Sequence, residues 1–129
     1  MAYGFTTRLA AASFAEAIDR VTAALKAEGF GVLSDIDVQA AMRDKLGVAM
    51  PPYRILGACN PPLAYSALGV DRSIGLLLPC NVVVRAGAGR TVVEALDPQV
   101  MVQLTGLSGL VPVADEAASW LDRVLAALA

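Results

Sequence analysis

The chain is 129 residues long, 57% hydrophobic and only 17% charged, with a mean hydropathy of +0.60. That is one domain's worth of chain with ample material for a core, which excludes a disordered tail or a solvated linker. Ten Lys and Arg against twelve Asp and Glu leave a net charge of −2 with the basic residues scattered, which argues against a phosphate-tracking nucleic-acid surface.

In chain order, residues 3–9 predict a first strand. Ser13-Phe-Ala-Glu16 fits a capping box, in which hydroxyl and carboxylate satisfy backbone donors reciprocally. Phe14, Ile18, Val21 and Leu25 follow at helical spacing, and Gly29 is a natural stop where positive φ is needed, so a helix is expected over 13–28. Residues 30–34 read as a second strand. Asp37 caps a short helix over 38–46 that Gly47 closes. Pro51 and Pro52 forbid helix and introduce a third strand over 53–59.

Asn60-Pro61 is a second cap signal, opening a short helix to about residue 68. The longest apolar run, 74–85, reads as a fourth strand, with Pro79 marking a bulge or an edge because it cannot donate to a ladder. Gly87-Ala-Gly89 predicts a hairpin turn into a fifth strand over 90–96. Asp97-Pro98 starts another short helix, through about Leu104. A long final helix over 112–128 buries Val113, Ala117, Trp120, Leu121, Val124 and Leu125.

The most apolar stretch is shorter than the about 20 residues a membrane helix needs, so no membrane span is expected. Arg8 and Glu16 interrupt the N-terminal segment, which does not read as a secretory signal. The two cysteines, Cys59 and Cys80, are therefore expected as thiols in a cytoplasmic protein. Five strands and two long helices order themselves as an α+β sandwich, with the helices on one face of a largely antiparallel sheet. The opposite face is then apolar and open in a monomer, which predicts a homodimer or a larger even-numbered assembly.

The blocks Gly29-Phe30-Gly31-Val32-Leu33, YRILGACNPPLA at 53–64 and LLPCNVVV at 77–84 stand in an order that resembles the bacterial and archaeal family known as domain of unknown function 302, over nearly the whole chain. The resemblance implies one TBP-like β-α-β4-α domain over 1–129 and a dimer-forming small protein. It implies no activity, since the family is named for lacking one, and the fold name confers no DNA binding.

With no histidine in the chain, the commonest general base, the Ser-His-Asp triad and all His-based metal sites are unavailable. Candidate chemistry centres instead on two Cys-Asn dipeptides, Cys59-Asn60 and Cys80-Asn81. Cys59 precedes a helix start, where free N–H groups and the dipole favour an anion and activate a thiol. If the third and fourth strands are neighbours, the two sulfurs approach, as a redox pair or as ligands for a soft metal such as Cu(I). Two thiolates are too few for structural zinc, although a dimer supplies four. The plain alternative is that both cysteines are small buried hydrophobes.

Asn60, Asp37 and Asp97 are accounted for as caps. Asn81, disfavoured in mid-strand, either bonds backbone at a Pro79 bulge or faces a ligand. Asp35 and Asp37 share one strand face if that strand extends so far, as a cation site or as capping groups. Arg54, in an apolar strand, needs a partner: Asp35, Asp37 or Glu94, or an anionic ligand. Neither Gly87-Ala-Gly89 nor Gly106-Leu-Ser-Gly109 has the Lys or the spacing of a phosphate loop.

The leading expectation is a non-enzymatic dimeric domain binding a small ligand or a protein partner in a pocket formed by Cys59, Asn60, Cys80, Asn81 and Arg54. The competing one is a thiol-dependent redox, sulfur-handling or soft-metal module using Cys59 and Cys80. No cofactor is required by the sequence, and neither nucleic acid nor membrane is expected as a partner.

Overall fold

A computed structural model describes residues 2–11 and 13–129. Five strands, β1 (Gly4–Leu9), β2 (Gly31–Asp37), β3 (Tyr53–Cys59), β4 (Cys80–Ala86) and β5 (Thr91–Leu96), form one sheet in the order β1-β5-β4-β3-β2, with every neighbouring pair antiparallel. The helices are α1 (Phe14–Ala27), α2 (Val38–Leu46), α3 (Pro61–Val70), α4 (Gln99–Thr105) and α5 (Val111–Leu128). The expected α+β class, with its antiparallel sheet and flanking helices, is what the chain adopts.

Local chemistry explains the boundaries. The Ser13 hydroxyl accepts from Glu16 N at 3.1 Å and starts α1, while Gly29 takes φ +83° just beyond its end. Asp37 Oδ1 accepts from Ala40 N at 2.9 Å, and Gly47 closes α2 in the left-handed region. β4 and β5 meet in the expected hairpin, where Gly87 N donates to Arg90 O at 2.8 Å.

The run 74–85 departs from expectation. Its first part is not strand: Arg72–Leu77 forms a 3₁₀ helix, opened by Asp71, whose carboxylate accepts from Ser73 N. A cis Leu78–Pro79 bond follows, and β4 begins only at Cys80. The expected bulge at Pro79 is likewise displaced. The irregularity lies in β2, between Val32 and Ser34. β2 also continues past residue 34 to Asp37, because Asp35 finds an ionic partner across the ladder in Arg54.

Alternation along each strand separates two faces. Leu9, Leu56, Ala58, Val82, Val84, Val93 and Ala95 point to one side and pack with Val21 and Leu25 of α1 and with Leu121, Val124 and Leu125 of α5. A second cluster lies at one end, where α3, the 3₁₀ segment, α4 and the start of α5 bring together Leu63, Ala67, Ile74, Met101, Leu110, Val113 and Ala117. Trp120 packs against both clusters and joins them. None of the other face's residues Tyr53, Ile55, Val83, Val92 and Leu96 belongs to either cluster.

Candidate functional site

The seam between the two clusters is not filled. A cavity there, with about 30 Å³ of room for water-sized bodies, is lined by Cys59 and Asn60 at the end of β3, Leu63 and Ala67 of α3, Pro79 and Cys80 at the start of β4, Met101 of α4 and Val113 and Ala117 of α5. That volume holds about two water molecules. The β3–β4 register explains the gathering: Ala58 stands opposite Cys80, so the Cys59-Asn60 corner leaves the sheet beside the point where Pro79-Cys80 enters it.

Both cysteines are free, Cys80 buried and Cys59 half-buried. Burial, and then the neighbouring Cys59, push the Cys80 thiol up to about 11. It is a neutral thiol at physiological pH. The expected activation of Cys59 by the start of α3 fails on the chemistry of that helix end. Pro61 and Pro62 have no N–H, Leu63 N donates to Asn60 Oδ1 at 3.3 Å, and Ala64 N donates to Asn60 O at 2.9 Å. The first turn therefore has no free donor to offer an anion.

Asn60 is 8% exposed. Its carbonyl caps α3, as expected, but its amide nitrogen has no protein acceptor among the described residues. A Cβ built on Gly29 would meet that nitrogen at 2.9 Å. Gly29 is thus required twice, for its positive φ and for the space Asn60 occupies.

Two members of the expected pocket lie elsewhere. Asn81 follows Cys80 in β4 and so faces the other side of the sheet, exposed. It lines a shallow cup of about 220 Å³ with Tyr3, Tyr53, Val83, Glu94 and Leu96. Arg54 is committed to Asp35: its Nε donates to Asp35 Oδ1 at 2.7 Å and its Nη2 to Oδ2. The hydrogen bond from Arg54 holds the Asp35 carboxyl below the ordinary carboxylate range, against the opposing effect of burial. Asp35 and Asp37 do share a strand face, but the first is neutralised by Arg54 and the second caps α2. Glu94 pairs with Arg85 at 2.9 Å, not with Arg54.

Met101 was not among the expected site residues. Its sequence neighbourhood is an ordinary amphipathic helix, and only the packing of α4 brings it to the cavity. Among the described residues no group of three or more His, Cys, Asp and Glu gathers into a metal cluster, and no helix is long and apolar enough to cross a membrane.

Comparison with known proteins agrees with the fold. The family model for domain of unknown function DUF302 matches residues 5–128. A solved structure described as the crystal structure of an uncharacterised conserved protein DUF302 from Bacillus stearothermophilus superposes with a TM-score of 0.91 at 28% identity, covering 100% of both chains. No curated protein matches the chain. The chain belongs to the DUF302 family, which carries no assigned function.

Proposed function

We propose that this DUF302 member is a binding domain, not an enzyme, and that it works as a homodimer whose two copies meet across the open face of the sheet. The observation that carries this reading is the composition of that face. Short of the Gly31–Cys59 pair, where β3 leaves the sheet, its register-defined residues are Gly4, Thr6, Arg8, Ser34, Ile36, Tyr53, Ile55, Gly57, Asn81, Val83, Arg85, Val92, Glu94 and Leu96. Arg85 and Glu94 neutralise one another, which leaves Arg8 at the edge as its one unbalanced charge. Such a face can meet its own copy without like-charge repulsion, as a two-fold interface requires.

Five strands at about 4.8 Å and six residues at about 3.3 Å give a face of roughly 24 by 20 Å. That is somewhat over half of the about 800 Å² per partner of a standard interface, so the flanks of the sheet must supply the rest. Light scattering of the purified chain is expected to give twice its 13.3 kDa mass. Val83→Arg, placed at the centre of the face, is expected to give the monomer with an unchanged circular dichroism spectrum. A wild-type monomer at high micromolar concentration overturns the reading.

A second reading, a thiol-dependent module in a cytoplasmic, reducing location, is supported by the convergence of Cys59 and Cys80 on one cavity. Native labelling with a small methanethiosulfonate tests it. Labelling of both thiols in the folded chain supports an accessible site, and thiols that label only on unfolding reduce them to core residues.

A further inference from the structure

We propose that the cavity between α3, α4 and the β3–β4 corner is a seat for a soft monovalent metal cation of the Cu(I) class, held by the sulfurs of Cys59, Cys80 and Met101. This rests on the second reading above, that the cavity is a site, and adds the ligand and the third donor.

The donor set argues for the class. The residues lining the cavity are two cysteines, one methionine and one asparagine, and otherwise apolar ones. They include no carboxylate, and the chain has no histidine. Thiolate and thioether sulfur select soft cations, whereas zinc in a structural site takes four ligands. The room, about 30 Å³, admits an ion that has shed its water shell. Half-buried Cys59 supplies the entry path.

The step balances as an exchange of protons for metal. One Cu(I) ion forms bonds to both cysteine sulfurs and accepts a lone pair from the Met101 sulfur. Both thiol protons leave to solvent, no electron moves, and the bound unit carries one negative charge. Asn60, 8% exposed, lines the same cavity, and a side-chain amide can donate a hydrogen bond to a thiolate.

The test uses the full chain, reduced and anaerobic, titrated with Cu(I) against a competing chelator, with X-ray absorption to count sulfur neighbours. One ion per chain and three sulfurs are expected. Met101→Leu conserves volume, and melting confirms its fold. It is expected to keep two sulfurs and to lose at least the about tenfold in affinity that removing even an outer-shell partner costs. No stoichiometric uptake overturns the proposal, as does a Met101→Leu chain with wild-type affinity and sulfur count. Thiols that label natively in a chain that takes no metal overturn the metal proposal alone. Thiols that neither label nor bind overturn the cavity reading as well.

Discussion

Pro79 stands where a side chain on Gly57 would have to go: a Cβ built on Gly57 comes within 2.7 Å of Pro79 Cγ and closer still to Ser34 Oγ. The Ser34 hydroxyl can rotate away, but the proline ring cannot. Relief must come from the backbone at the point where β4 enters the sheet, beside the cavity. Gly57→Ala is therefore expected to destabilise the chain by about 1–3 kcal/mol, the usual cost of overpacking, outweighing the about 0.4–1 kcal/mol that a stiffer unfolded chain contributes. Urea unfolding of the two chains measures the difference, and equal midpoints would show that Pro79 yields.

The Arg54–Asp35 pair predicts an acid dependence. The carboxyl titrates lower in the folded state than in the unfolded chain. Its contribution is complete above an unfolded value of about 3.9 and is lost as pH falls through the lower folded value. Both side chains are partly exposed, 28% and 37%, so the expected size is only about 0.2–1 kcal/mol. Arg54→Gln should lower stability at pH 7 and match the parent near pH 2. A deficit that persists in acid would assign the loss to packing of the Arg54 stem.

Cys80 predicts the opposite dependence, in alkali. Its folded value, about 11, stands above the ordinary 9.0. Stability from this group is therefore whole below pH 9 and falls as pH rises towards 11, because the unfolded thiol ionises while the folded one does not. The full effect is about 2–3 kcal/mol at about 1.4 kcal/mol per pKa unit. Unfolding midpoints of the parent should decline across that window, and those of Cys80→Ala should decline less. Parallel declines would place the alkaline sensitivity elsewhere.

Much of the fold was legible because its boundaries are written in local chemistry. Ser13 with Glu16, Asp37 with Gly47, and Asn60 with Pro61 each solve the problem of unpaired backbone groups at a helix end within a few residues, so spacing alone reveals them. The run 74–85 was misread because its hydrophobicity and its valines outweighed a quieter signal, the Asp71 cap three residues upstream of Ile74. The true extent of β2 depended on a partner 19 residues away, Arg54 for Asp35, which no local pattern carries.

The site divides in the same way. Alternation by itself places Cys80 and Asn81 on opposite faces of a strand, so their separation could have been read from adjacency. The convergence of Cys59 and Cys80 followed from neighbouring strands. Met101 arrives through the packing of α4 on α5, and the two missing N–H groups of Pro61 and Pro62 mattered only once the side chain of Asn60 was seen to take the next donor.

The irregular pairing between Val32 and Ser34 has a bearing on how far association can go. β2 is an outer strand, and an irregularity there puts an incoming strand out of step. One rim of the sheet is thus closed to extension and only the β1 rim remains. A sheet with one guarded rim offers strand addition a single good edge, which disfavours propagation into a fibre.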